Sequence, residues 1–170
     1  RGAGEIRIAD FDKLDLSNLN RLKAPLWEIG LEKTTSVSRE IAEIDPFLKV
    51  TTFDDGIHSG NIDTFLKENG KLDLLVDECD SLEVKVLCRQ AARKSGIPVV
   101  METSDRGMLD IERFDLEPDR PILHGLAETN AEEIKNLDPQ KRFELLMKIV
   151  EFDNLSDRAK QSIGEIGKTL

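Results

Sequence analysis

The sequence predicts an α/β fold: a mainly parallel sheet with helices on both faces, antiparallel strands at one edge and a C-terminal helical tail. Three observations carry this. Apolar runs of a few residues alternate with stretches of helical period between residues 5 and 101, the mark of strands joined by crossover helices. The runs are rich in β-branched residues, as in Val50-Thr51-Thr52 and Ile97-Pro98-Val99-Val100, which suits buried strands. After residue 102 the alternation changes character, and residues 108–114 read as a strand of opposite direction.

Taken in order, residues 5–11 form a strand with Ile6, Ile8 and Phe11 alternating. Residues 12–25 are a loop with one helical turn around 17–22, for which Ser17 is the expected N-cap. Residues 26–44 read as mostly helical, with Val37, Ile41 and Ile44 at helical spacing, and Asp45-Pro46 stops that helix. A strand at 48–53, a turn at Asp54-Asp55-Gly56 and a helix at 61–68 ended by Asn69-Gly70 follow. Residues 72–77 are a short buried strand. Residues 81–95 are a helix with Val84, Leu87, Cys88 and Ala91 as its apolar face and Gly96 as its C-cap. The strand at 97–101 closes the parallel part. Beyond it, 103–107 is turn-like, and 122–123 adds a short strand. Helices are expected at 131–136, 139–152 and 157–170, with Asp138-Pro139 opening the second and Ala159, Ile163 and Ile166 forming an apolar stripe on the last.

The 170 residues suffice for one domain of ordinary size, here residues 1–128, with 129–170 as a helical tail or linker. Lys plus Arg is 24 and Asp plus Glu is 34, so the net charge is −10. An acidic chain without a basic cluster argues against nucleic acid as a main partner. No apolar run approaches a membrane span. Cys79 and Cys88 do not read as a disulfide framework, and the expected location is a reducing cytoplasm. No C-x-x-C pair is present, and His58 and His124 are isolated, so a zinc site is not expected.

The chemistry concentrates where the first strand opens into Asp10-Phe11-Asp12-Lys13-Leu14-Asp15-Leu16-Ser17-Asn18-Leu19-Asn20-Arg21. Open α/β sheets hold nucleotides at the carboxyl ends of their strands. Asp10 can accept two hydrogen bonds from a ribose diol. Asn18 and Arg21 share one face of a helical turn, and Arg21 offers a bidentate donor to phosphate. The plainer reading of Asp10 is a solvated acid at a strand end.

This run resembles the D-x-D-x-V-x-x-S-N-L-x-R signature of the ThiF/MoeB family, whose fold is shared by ubiquitin-activating enzymes. Further likenesses follow in order: Gly30-Leu31-Glu32-Lys33 to G-x-x-K, Ile44-Asp45-Pro46 to (L/I)-N-P, and Leu74 through Ser81 to D-x-x-D-N with Ser81 in place of Asn. Ile97-Pro98-Val99-Val100 resembles the next buried strand. In order, these matches are far more specific than any one of them.

The resemblance implies a Rossmann-like domain that binds ATP and Mg2+ and adenylates a carboxylate or similar acyl group, releasing pyrophosphate. It implies Asp10 and Asp12 among the nucleotide-binding residues, with Asp10 on the ribose, and Asn18, Arg21 and Lys33 on the phosphates. It implies Arg21, Lys33 and Asp80 as the catalytic set, with Asp80 holding Mg2+; Asp77 is the second candidate for the metal. The plainer readings are a helix lysine for Lys33 and a helix N-cap for Asp80. The implied partners are an acyl substrate (a small molecule, a tRNA-linked group or the C-terminus of a ubiquitin-like protein) and a second copy of the chain.

Two departures qualify the resemblance. The strand, G-x-G-x-x-G turn and helix that begin the family are not in these residues, so the chain reads as a fragment, and Gly2 and Gly4 read as the end of that helix. No Cys lies in 105–130, where many relatives form a thioester or persulfide; Cys88 reads as core, and Trp27 as a packing anchor. Adenylation without a thioester is how the tRNA threonylcarbamoyladenosine dehydratase branch is thought to work, and Asp80-Ser81-Leu82-Glu83-Val84-Lys85 resembles its D-S-x-x-x-K. The resemblance also allows fusion to a nitroreductase domain. The alternative function is a catalytically degenerate nucleotide-binding or dimerisation module of a larger protein. An NAD(P) oxidoreductase ranks last, because it gives the S-N-L-N-R run no role.

Overall fold

The computed structural model describes residues 2–102, 108–127 and 130–164. Two expectations fall outside them: the turn at 103–107, and Ile166 with the end of the last helix. The chain forms two compact units, Arg1–Asn61 and Ile62–Leu170.

The first unit is a strand–helix–strand crossover. Strand β1, Glu5–Ala9, pairs in parallel with β2, Lys49–Phe53, Ile6 lying opposite Val50 and Ile8 opposite Thr52. Between them run a 3-10 turn at Leu16–Asn20, another at Leu26–Glu28, and helix α1, Lys33–Ile44. The expected helix over 26–44 is therefore broken. Gly30, with φ 90°, turns the chain, and residues 30–33 run back against 12–14, with an antiparallel bridge between Lys13 and Glu32. Those backbone bonds replace the helical ones that residues 29–32 would have made. Glu28 fastens the second turn to α1 through Ser36 Oγ at 2.5 Å and Arg39 Nη1 at 3.1 Å. The buried side chains of α1 are Thr34 and Ser36, while Val37 and Ile44 are exposed, as is Trp27 at 84%. Trp27 is thus no packing anchor here.

The second unit holds the larger core. Helix α2, Ile62–Lys67, buries Ile62, Phe65 and Leu66. Strand β3, Leu75–Val76, pairs in parallel with β4, Val99–Glu102, and β5, Leu109–Glu112, adds on antiparallel, as expected. Helix α3, Leu82–Ser95, starts at Ser81, whose side chain accepts the Val84 N–H, and ends at Gly96 in the left-handed region, φ 59°. Its buried face is Leu82, Lys85, Val86, Cys88, Arg89 and Ala92. That face is rotated from the expected one because two cations point inward to buried acids. Residues 122–123 are no strand: they open a 3-10 turn, Ile122–Gly125, in which Leu123 and His124 are left-handed. Helices α4, Ala131–Asn136, α5, Pro139–Ile149, and α6, Asp157–Gly164, follow. Asp138 caps α5, accepting from Gln140 N–H at 3.0 Å and Lys141 N–H at 3.1 Å. The expected continuation of α5 to residue 152 fails at Glu151, which is left-handed. Among the described residues no helix is long and apolar enough to cross a membrane.

A Cβ at Gly96 would meet nothing closer than 3.9 Å, so the cost of Gly96→Ala is conformational. The variant is expected to lose about 1 kcal/mol of unfolding free energy, read by urea denaturation.

Candidate functional site

The carboxyl end of β1 gathers the first group of predicted residues. Asp10 N–H donates to the Phe53 carbonyl at 3.2 Å, holding the strand end to β2. The chain then turns, and Asp10 Oδ1 accepts the Asp12 N–H at 2.8 Å. Lys33 opens α1 directly beside this turn. Its N–H donates to the Asp12 carbonyl at 2.9 Å. Its Nζ lies 2.5 Å from Asp12 Oδ2 and 4.0 Å from Asp10 Oδ2. The Leu14–Leu31 and Gly30–Leu14 backbone bonds, at 2.7 and 2.8 Å, hold the two segments at this spacing. Asp10, Asp12 and Lys33 therefore form one cluster, an ammonium, 15% exposed, between two carboxylates. Such a group can accept hydrogen bonds from hydroxyls and offer a cation to phosphate oxygens.

Asn18 and Arg21 share the neighbouring 3-10 turn. Asp15, not Ser17, is its N-cap: Asp15 Oδ1 accepts the Ser17 N–H at 2.8 Å, and Asn18 Oδ1 accepts the Asp15 N–H at 3.0 Å. This reciprocal box fixes Asn18 Oδ1 and leaves its amide nitrogen as the donor. Arg21 closes the turn through its N–H to the Asn18 carbonyl at 3.1 Å. Its side chain is exposed and, among the described residues, makes no ion pair. Among the described residues, no hydrogen bond or ion pair joins Asn18 or Arg21 to the Asp10–Lys33 cluster.

In the second unit, β3 runs into the loop at 77–81. Asp77 and Asp80, both metal candidates by sequence, have opposite environments. Asp80 is exposed and lines a cavity of about 310 Å³ with Ser81, Leu82, Leu137, Arg142 and Phe143. Because Ser81 is the N-cap of α3, Asp80 is left out of the capping. Asp77 is 4% exposed and fully engaged. Its Oδ1 accepts from Cys79 N–H at 3.1 Å, Cys79 Sγ at 2.8 Å and Lys85 Nζ at 3.3 Å, and its Oδ2 from Arg89 Nη1. Of the two acids, only Asp80 can reach a ligand.

Arg89 lies at the centre of a buried ionic cluster that the sequence reading missed. Besides Asp77, it donates through Nε to Glu112 Oε2 at 2.5 Å and stands 3.9 Å from Asp110 Oδ2. Glu112 Oε1 accepts the Leu123 N–H at 2.7 Å, and Asp110 Oδ1 is 2.7 Å from His124 Nε2. The available signal was Lys85 and Arg89, four apart and in line with Leu82, Val86 and Ala92. Burial alone would raise the Asp77 carboxyl, but Lys85 and Arg89 pull it below the usual carboxylate range. At Glu112 burial wins and pushes the carboxyl up despite Arg89. Burial, then the Asp77 charge, drives the Cys79 thiol far up, and burial pushes Cys88 up to about 12. Both thiols are protonated at neutral pH, and a protonated thiol is a poor nucleophile.

The depressed Asp77 makes its stabilisation complete above the ordinary carboxylate range and lost as acid protonates it; the raised Glu112 works in the opposite sense. Asp77→Asn leaves Arg89 and Lys85 buried with one fewer anion and is expected to cost about 3 kcal/mol at neutral pH. Thermal melts from about pH 5 downward check this: the variant should lose less stability on acidification than the unaltered protein.

Comparison with known proteins agrees with this layout. The ThiF family model matches residues 1–150. The uncharacterized protein MT1398 of Mycobacterium tuberculosis is 44% identical over 168 residues, 98% of this chain and 23% of that protein. The tRNA threonylcarbamoyladenosine dehydratase 2 of Saccharomyces cerevisiae is 32% identical over 100 residues, 58% of this chain and 22% of its own length. The Escherichia coli tRNA N6-threonylcarbamoyladenosine dehydratase, solved in complex with ATP, superposes with a TM-score of 0.55 at 27% identity, covering 61% of this chain and 43% of that one. The chain thus spans less than a quarter of the length of the first two relatives. With the α/β architecture and the family's motif residues in place at the end of β1, the chain belongs to the ThiF family.

Proposed function

We propose that this chain is part of an enzyme that adenylates an acyl group with ATP. The observation that carries the reading is the Lys33 ammonium held beside Asp10 and Asp12 at the carboxyl end of β1. Nucleotides lie at such strand ends, and a relative of the same family has been solved with ATP. In this reading Asp10 accepts from the ribose hydroxyls through Oδ2, its Oδ1 being engaged by Asp12. Lys33 exchanges Asp12 for phosphate oxygens. Asn18, through its amide nitrogen, and Arg21 donate to the phosphates.

The chemical step forms a bond from the acyl carboxylate oxygen to the α-phosphorus and breaks the α–β bridging bond, so that pyrophosphate leaves. Lys33 and Arg21 offset the charge that gathers on the departing oxygens, the kind of preorganised stabilisation that dominates such reactions. Mg2+ takes one or two protein carboxylates and keeps waters, and Asp80, exposed and without an ion pair among the described residues, fits that need. Magnesium would screen the phosphates. The protonated thiols, each held by burial, favour direct transfer from the adenylate over a thioester.

The acyl partner is a small molecule, a tRNA-linked group or a ubiquitin-like C-terminus, and residues 129–170 serve as a tail or linker to the nucleotide domain. The competing reading, a nucleotide-binding or dimerisation module without catalysis, is favoured by the Lys33–Asp12 pair, which competes with phosphate.

Titration calorimetry with ATP and Mg2+ tests the proposal. Lys33→Ala and Arg21→Ala should each weaken ATP binding about 10- to 100-fold, and pyrophosphate exchange into ATP should require one of the three acyl classes. Binding without exchange for any of them supports the non-catalytic module. No ATP binding by the unaltered protein rejects adenylation and nucleotide binding alike and leaves only the dimerisation module.

A further inference from the structure

We propose that Arg89 is a positioning residue for the ligand-facing loop at 77–81: it locks the loop from beneath and so fixes where Asp80 points. This rests on the nucleotide reading only for what Asp80 binds; the locking itself is read from the second unit alone.

Arg89 is 0% exposed, the largest of the fully buried side chains. Burying a guanidinium is costly unless its donors are matched, so its partners are held as firmly as it is. Two are acids on different segments. Nη1 holds Asp77, the residue where β3 gives way to the loop, and Nε holds Glu112, the last residue of β5. Asp77 then shapes the loop from inside, because its Oδ1 accepts both the Cys79 N–H and the Cys79 thiol. That turn delivers Asp80 to the surface immediately before α3 begins. Lys85 also reaches Asp77, at 3.3 Å, but it is a single point charge. Among the described residues, Arg89 alone joins Asp77 to Glu112. The planar fork of Arg makes two bonds in fixed directions, which an ammonium cannot reproduce.

Glu112 supplies the far anchor. Its other oxygen accepts the Leu123 N–H, at the start of the left-handed stretch through His124, with φ 47° and 55°. Backbone of that kind persists only where its surroundings over-determine it. The guanidinium is thus tied to a segment that is itself strained and held. Loop 77–81 therefore takes its geometry from a rigid base rather than from its own exposed residues.

The two cysteines give a readout that needs no nucleotide. Cys79 sits in the loop and Cys88 in the core of α3, so their relative reactivity separates local loosening from global unfolding. In Arg89→Lys, which keeps the charge and loses the bidentate fork, alkylation of Cys79 by iodoacetamide should accelerate at least tenfold while Cys88 stays protected. Glu112→Gln, which keeps an acceptor for Leu123 but weakens the anchor, should act in the same direction by a smaller factor. In both variants the affinity for ATP with Mg2+ should fall several-fold while the affinity for ATP in EDTA is unchanged; a merely structural role would not produce that split. Equal acceleration of both thiols, or no acceleration, overturns the locking. Selective exposure of Cys79 with the Mg2+ dependence unaltered overturns the positioning of Asp80. If the unaltered protein binds no ATP in either condition, the nucleotide reading and the assignment of Asp80 fail, and selective Cys79 exposure would still uphold the lock.

Discussion

The constraint on which the second unit depends is the obligation to satisfy one buried guanidinium. Arg89 reaches acids from the two strands that flank β4, Asp77 at the end of β3 and Glu112 at the end of β5. An unmatched charge at that depth costs more than the pair gains in attraction, so removing either acid exposes the full penalty. The consequence is specificity of register. Glu112 faces Val99 across β4 and β5. A one-residue slip would swing Glu112 to the opposite face of the sheet and strand the arginine. The ionic cluster thereby fixes which way the antiparallel strand lies, a choice that apolar packing alone leaves looser.

The first unit solves a different problem with backbone bonds. A parallel crossover needs a connection of a dozen residues or more, and here it includes a long excursion before α1 begins at Lys33. That excursion carries the family's polar residues. Its base is zipped by bonds between residues 12–14 and 30–33, and Leu14, 2% exposed, plugs the zip. The arrangement keeps two acids and a lysine within reach of one another without placing any of them deep in a core, so they remain available to a ligand while their spacing is set by backbone geometry.

Much of this was legible from local rules. The first strand, read as 5–11 and found at Glu5–Ala9, the Gly96 cap of α3, the Asp138 cap of α5 and the antiparallel β5 all follow from residue chemistry within a few positions, whereas the N-cap of α3 is Ser81 and not the expected Asp80. What escaped was non-local. The break of the expected 26–44 helix depends on residues 30–33 finding partners at 12–14. The buried face of α3 was assigned to Val84, Leu87, Cys88 and Ala91 from apolar spacing alone, which leaves Lys85 and Arg89 off it. They turn inward only because Asp77 and Glu112 wait for them, the latter 23 residues along the chain. The strand expected at 122–123 became a left-handed turn because a buried carboxylate takes the Leu123 N–H. At the candidate site, the motif located the cluster of Asp10, Asp12 and Lys33, whereas the difference in burial between Asp77 and Asp80 needed the fold.

The zipped base of the excursion between β1 and α1 has one more consequence. Because the rungs close below residue 15, the span from 15 to 29 is a side branch whose length is uncoupled from the strand end and the helix start. Loop closure grows only slowly more unfavourable with added residues, so insertions in this branch would leave the acid–lysine spacing untouched. A lineage could diversify what the branch touches without rebuilding its foundation.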